Sequence, residues 1–502
     1  MNLYKLVIIF IVFTAVNLFK SAHIDDPFYI AQAEWILENP FKPLSGSINW
    51  MDSTKPFYQE NNPPLVSYFL ALGIYLFGEN IILLHLITGF FLVGLMYFLF
   101  QIKAKFNQNN STFWWIVFLS PVILINQNLM LEIPLNFFIF GGIYFYLNSD
   151  RNIRFSYIGA IMFGLAFLTK YSALMFFLLP FLYWYQTKNN SYLYSIIPIL
   201  LIIGTWFGWN YIEIGQVHLF LRKSSISFEI EKILSFIICV GNIVLFSIYS
   251  FFDKFKKGKF LYGALIFTLF LLPSVFYLLH FISRDIYFYL YTAISLVFGL
   301  IWLFDFIKMM KNSQMLKKEA VVVVCYTLLI LYASPFIATR HFIPIILVYG
   351  FIAFSNIKIP KIIIILNIIW TIMIGLADVS NSRFYEMMAL ELSQKYTNHT
   401  IYTVGHNGWQ YYSQKNKMIF YDINSSKPKT GDVFIIPTNT HNQLVDSNLS
   451  LTKMESIAPK PQIIQYFIGR KNAPYGSNYM NFVPFIFSRE PVDRFKIYTI
   501  SY

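Results

Sequence analysis

The sequence predicts a mainly α-helical, polytopic membrane protein that ends in a small soluble α/β domain. Composition is the first reason: of 502 residues, 57% are hydrophobic, 20% are aromatic and only 13% are charged. The second is arrangement, because the apolar residues gather in repeated blocks of roughly 15–20, close to what a hydrocarbon core of about 30 Å demands of a helix. Backbone polar groups in hydrocarbon must be satisfied within their own segment, and the blocks are too long and continuous for barrel strands. The third is an abrupt change after residue 378, where TIYTVG, DVFIIP and QIIQYFIG read as short strands separated by the turn-rich INSSKPKTGD and TNTHNQLVDSN.

Crossings are expected near 4–20, 81–101, 113–126, 133–148, 155–169, 172–187, 192–210, 232–252, 260–279, 286–305, 320–337, 342–356 and 360–377, thirteen in all. With the N-terminus inside, every inner turn is basic: Lys103 and Lys105; Arg151 and Arg154; Lys188; the Lys254 to Lys259 cluster; Lys308, Lys311, Lys317 and Lys318; and Lys358 with Lys361. That is the positive-inside bias. It accounts for the net charge of +13 without nucleic acid, since the lysines form no single patch interleaved with aromatics. Residues 1–378 are then the transmembrane domain, with a first outer loop at about 22–80, and 379–502 form an extracytoplasmic domain. A cleaved signal peptide is the rival reading of the block from Tyr4 to Phe19; a retained anchor keeps the count consistent. Cys239 and Cys325 lie within apolar blocks and no CxxC occurs, so neither a disulfide nor a thiolate metal site is expected.

The outer face carries few basic residues, and they stand singly or in pairs: Lys170, Arg222 with Lys223, Arg284 and Arg340. Each alone is a candidate for snorkelling to the headgroups. Together with acids on the same face they suggest an anion site. In DDPFYIAQAEWIL, Pro27 suits the first turn of a helix. Asp26 is then expected to cap that helix and Asp25 to be left free. Phe28, Ala31, Trp35 and Ile36 would share one face, laying the helix along the membrane surface with Gln32 and Glu34 off it. Pro63 and Pro64 begin a second helix, with Asn61 and Asn62 before it. Glu132 is the sole acid from Phe106 to Asn148 and stands just before Pro134. Its plain alternative is a carboxylate facing a helix N-terminus. Lys170 sits in the turn LTKY, and Arg340 with His341 in TRHFIP. His406, beside Gly405, is expected to be packed or hydrogen-bonded.

The order and sidedness of HIDDPFYIAQAEWIL, NNPPL, LEIPLNFF, LTKY and TRHFIP resemble the GT-C type polytopic glycosyltransferases, in particular the branch of protein O-mannosyltransferases and lipid A aminoarabinose transferases. The resemblance spans residues 1 to about 377. It departs from the pattern at Asn62, where family members often carry Lys or His before the Pro pair.

What the resemblance implies is transfer of a sugar from a polyprenyl-phosphate carrier to a lipid, glycan or protein acceptor on the outer face of the cell (inner) membrane, with inversion and without cofactor or metal. Asp25 would be the base and Glu132 the second carboxylate. Lys170 and Arg340, with Asn62 beside them, would hold the donor phosphate. Asp26, His341 and Arg222 are secondary candidates. A transporter or lipid flippase is the alternative, which should bury charges near mid-membrane and often shows repeated halves.

Overall fold

The computed structural model describes residues 3–60, 62–106, 111–221, 229–243, 268–269, 272–313, 315–355, 359–460, 477–478 and 483–501. The expectations for Asn61, Arg222, Lys223, the Lys254 to Lys259 cluster, Lys358, half of the crossing near 260–279 and the later part of that near 232–252 lie outside these residues, as does the strand-like QIIQYFIG.

Among the described residues, four helices are long and apolar enough to cross a membrane: Ile81–Lys105, Ser191–Ile214, Arg284–Asn312 and Lys361–Lys395. Shorter apolar helices, among them Glu132–Leu147 and Arg154–Thr169, pack with them. The count of thirteen crossings stays a proposal from the sequence. One expected crossing is corrected outright. Residues 113–126 form a π-helical turn, Trp114–Phe118, and a separate short helix, Pro121–Leu124. Pro121 has no N–H to give to a continuing helix, so the chain restarts there. The stretch is nonetheless buried except at the partly exposed Trp115, and the Asn367 amide donates to the freed carbonyls of Trp115 at 2.7 Å and Leu119 at 2.8 Å.

Small residues set the tightest helix crossing. A Cβ placed on Gly241 would collide with the Ser295 carbonyl oxygen, and one on Gly299 with that of Ile237. The helices Ile230–Ile243 and Arg284–Asn312 therefore meet backbone to backbone, as small residues allow inside membranes.

The division expected at 378/379 falls within one helix, Lys361–Lys395, which leaves the membrane-spanning part and continues into the C-terminal unit. There a five-stranded mixed sheet runs in the order Ile419–Phe420, Ile401–Thr403, Val433–Pro437, Phe495–Ser501, Ser450–Ile457. The first three strands are parallel to one another and the last two pairings are antiparallel. Its core is shared with the segment between the first two expected crossings: Phe28, Ala33, Ile36 and Leu70 pack in one cluster with Phe384, Trp409 and Phe495. The helix Asp26–Glu38 is consequently packed between partners, and Gln32, expected off the buried face, is buried, accepting from the Ser67 hydroxyl at 2.7 Å. The single-face reading fails because two partners, one on each side, claim this helix. Polar ties reinforce the contact: Asp422 accepts from the Thr54 N–H and hydroxyl at 2.8 and 2.7 Å, and the Gln410 amide donates to the Asn49 carbonyl at 2.8 Å.

The tail also returns into the helices. Ser477–Asn478 pairs antiparallel with Ile337–Ala338. Phe485 exchanges backbone hydrogen bonds with the Asn242 side chain at 3.1 and 3.3 Å, and Val483, Phe485 and Ile486 are buried among the helices.

The backbone-to-backbone crossing yields a test. Gly241→Val and Gly299→Val should each destabilise the folded protein by ~1–3 kcal/mol or more, since overpacking cannot be relieved by a side-chain rotation. Thermal unfolding of purified protein, set against a Gly204→Val control at a position with open space around it, measures the effect.

Candidate active site

The segment joining the first two helices places the two aspartates differently. Asp25 takes the cap position of the helix Asp26–Glu38 with its backbone, its carbonyl accepting the Phe28 N–H at 3.0 Å, while its carboxylate makes no capping bond. Asp26 is the first helical residue and fully buried. Its carboxylate accepts the Leu129 N–H at 3.0 Å on one oxygen, and on the other the His23 N–H at 3.1 Å and the His23 ring at 3.0 Å. The expectation that Asp26 caps its own helix is therefore corrected: it bridges to a different part of the chain. The reason is burial, which makes the Leu129 N–H a donor in need of a partner.

That bridge brings the stretch before Glu132 beneath Asp25. Glu132 opens the helix Glu132–Leu147 and is buried. Lys170 ends the helix Arg154–Thr169 in an extended conformation, which turns the chain into the 3-10 segment Tyr171–Phe177. Its ammonium lies 3.5 Å from Glu132 Oε1. Arg340, in the short 3-10 segment Thr339–Phe342, reaches both carboxylates: Nε is 3.3 Å from Glu132 Oε1 and Nη2 is 3.6 Å from Asp25 Oδ2. Four residues that are far apart in sequence thus form one cluster of two carboxylates and two cations.

The cluster is not internally satisfied. Among the described residues, Arg340 Nε and Nη1 and Glu132 Oε2 are buried without a hydrogen-bond partner, the 3.3 Å Nε contact being close but poorly aligned. A buried guanidinium with unused donors is costly unless another group, a ligand included, takes them up. Lys170 also lines a cavity of about 290 Å³ that Asn62, Ser172 and Ser334 share, with an apolar wall from Leu174, Leu329 and Ile330. Asn62, Lys170 and the loop leading to Arg340 therefore meet around one space.

Asp25 is the most accessible member, its side chain 30% exposed. Burial raises its pKa, Arg340 opposes the rise, and the nearby charges of Glu132 and Asp26 add to it. Asp26 is pushed up to about 6 by burial. His341 is held well below the ordinary histidine value, first by burial and then by Lys170 and Arg340. Its Nδ1 accepts the Ala338 N–H at 3.4 Å, so the neutral ring presents Nε2–H as a donor. His406 lies in the C-terminal unit, its ring nitrogens 2.6 Å from the Met51 carbonyl oxygen and 3.2 Å from Gln410 Oε1.

Sequence reasoning missed the residues directly behind the cluster. Lys20 is fully buried, pairs with Asp378, and donates to the Ile125 carbonyl at 2.9 Å and to Asn128 Oδ1 at 3.1 Å. His23 lies 3.8 Å from Asp378. The signal was present: Asp378 is the sole acid between Glu319 and Glu386, at the end of a long apolar run.

Two tests follow from this geometry. A carboxyl raised in the folded state binds its proton more tightly there, so stability is lost as pH rises from the ordinary 3.8 through the raised value. Asp25→Asn should accordingly melt at or above the wild-type temperature at pH 7.5, with the gap closing as pH falls toward ~4. Asp26→Asn should melt below the wild type, because its amide turns an N–H toward one of the donors that Asp26 now accepts, and the deficit should shrink as pH rises through the raised value of about 6. A loss of ~1–3 kcal/mol is expected from thermal or denaturant unfolding.

No protein-family model matches this chain, and no curated protein does. Among solved structures, the chain is similar to ArnT from Cupriavidus metallidurans bound to undecaprenyl phosphate, at 11% identity and a TM-score of 0.46, over 87% of this chain and 93% of that one. It is also similar to the apo state of the same protein, at 12% identity and a TM-score of 0.43, over 86% and 92%. The chemistry of the site stands on its own residues.

Proposed function

We propose that the chain is a membrane glycosyltransferase that moves one sugar from a polyprenyl-phosphate carrier to an acceptor hydroxyl or similar group on the outer face of the cell membrane. The observation that carries this reading is the buried Arg340 guanidinium with unused donors, set between two carboxylates and beside Lys170 at the edge of a half-apolar cavity. Such a space suits a ligand with an anionic head and a hydrocarbon stem.

In the reaction, the acceptor oxygen attacks the anomeric carbon and gives its proton to Asp25. The bond from that carbon to the phosphate oxygen breaks, and the carrier departs as a phosphate monoester with one more negative charge. A single displacement inverts the centre. Burial that raises the Asp25 pKa makes it a better proton acceptor than an exposed aspartate. Lys170 and Arg340 meet the charge that grows on the leaving phosphate, and the Nε2–H of His341 is a further donor close by. Glu132 holds both cations in place through Oε1 and leaves Oε2 for a hydroxyl of the sugar or acceptor. Asn62 shares the cavity with Lys170, at the position where the resembling family often has a cation.

The test is to give purified protein a panel of polyprenyl-phosphate sugars and measure release of the sugar from the lipid. Asp25→Asn should abolish turnover while donor binding persists. Lys170→Ala and Arg340→Ala should each lower donor binding or turnover ~10- to 100-fold, the worth of one charge-assisted contact. Asn62→Lys should restore part of the Arg340→Ala loss. Consumption of lipid-linked sugar unchanged in both cation variants overturns the reading, and movement of the intact lipid without sugar release favours a transporter.

A further inference from the structure

A second concave site lies at the opposite end of the helices. The helices Arg284–Asn312 and Lys317–Ala333 are joined by a short turn, and between them runs a groove of about 740 Å³. On one wall Lys317, Val321, Val324, Leu328 and Leu331 recur at intervals of four and three, so they form one stripe along the helix. On the other wall Leu303, Ile307 and Lys311 recur at intervals of four. From Lys317 to Leu331 the stripe is ~21 Å long at the helical rise, about the reach of an extended acyl chain.

Faces of membrane helices that simply meet bulk lipid need no recess, whereas this one is re-entrant, and its walls are apolar almost throughout. Leu328 is 54% and Val321 43% exposed within it. The charge is confined to one end. Lys311, in the last turn of one helix, and Lys317, at the start of the next, flank the connecting turn and are exposed. Among the described residues neither pairs with a carboxylate. The acids nearby in sequence are committed elsewhere: Glu319 is buried and accepts from the Tyr183 hydroxyl at 2.7 Å, and buried Asp305 accepts from that of Tyr349 at 3.1 Å. The other end of Lys317–Ala333 leads to Ser334, which lines the Lys170 cavity, so the lysine pair lies a helix length, ~24 Å, from the candidate active site.

We propose that this groove holds a structural anionic phospholipid, with its phosphate between Lys311 and Lys317 and an acyl chain along the Val321–Leu331 stripe. The match of charge and length commits the site to this occupant. Two separated cations fix a phosphate, and a re-entrant apolar groove retains a chain that bulk exchange would otherwise remove. The inference is independent of the proposed reaction.

Native mass spectrometry of purified full-length protein, titrated with dioleoyl phosphatidylglycerol or dioleoyl phosphatidylcholine, tests it. The first adduct should form with phosphatidylglycerol at ~30-fold lower lipid concentration, the worth of two lysines near a phosphate. Lys311→Gln with Lys317→Gln should abolish that preference, and Lys311→Arg with Lys317→Arg should keep it. Leu328→Trp, which fills the groove, should weaken the first adduct of both lipids. If the Gln pair fails to fold, the preference of the wild-type protein should still shrink as salt is raised, because exposed charges are screened. Equal binding of the two lipids overturns the proposal. So does a preference that survives the Gln pair or high salt, or a first adduct indifferent to Leu328→Trp.

Discussion

The buried pairing of Lys20 with Asp378 is the constraint on which the site depends. Lys20 follows the first helix, Leu3–Asn17, by three residues, Asp378 lies in the middle of Lys361–Lys395, and the same ammonium bonds the 125–128 stretch. Three segments separated by more than a hundred residues each are thereby held at one ammonium group. Asp26 adds the link to Leu129, three residues before Glu132. Asp25 and Glu132 are then held opposite one another by backbone that cannot shift without stranding a charge in a water-excluded interior. Breaking such a pair from one side typically costs ~3–5 kcal/mol. The fold keeps the pair because position, more than stability, is what it supplies.

Against that fixed frame the cluster of Asp25, Glu132, Lys170 and Arg340 is incomplete. Two carboxylates and two cations come within 3.3–3.6 Å, yet donors on Arg340 and an acceptor on Glu132 stay unused. A purely structural network would close these valences, since partial satisfaction in a low dielectric is the worst arrangement energetically. Asp25 is the most open of the four to solvent, so the group with the raised pKa is one that a ligand can reach, as is Lys170 at the cavity.

Much of this was legible in the sequence because unpaired charges at the ends of apolar runs are conspicuous. Asp25, Glu132, Lys170 and Arg340 stand out for being polar where their neighbours are not, and the structure brings these four together. What was illegible had two or more partners. Periodicity reports one buried face, so it read the helix Asp26–Glu38 as lying on a surface when two units enclose it. A change of composition was read as a domain edge at 378/379, although the helix Lys361–Lys395 runs through that point with Asp378 buried inside it. The apolar VPFIF near the end of the chain was grouped with the soluble tail, yet its core lies among the helices. Each of these misses concerns contacts distant in sequence, which local pattern does not encode.

The returning tail changes how the protein comes into being. Helices of a membrane protein are laid down in order as the chain is made, and domains generally fold as units from the N-terminal side. Here, however, the strand Ile337–Ala338, immediately before Arg340, takes its hydrogen-bonding partner from Ser477–Asn478, and Asn242 takes Phe485. A nascent chain at residue 400 already holds every carboxylate and cation of the cluster, but the segment bearing Arg340 still has an open edge. The site is therefore finished from the far end of the polypeptide. Partly synthesised copies carry its chemistry without its geometry, and assembly of the tail becomes the step that commits each molecule to function.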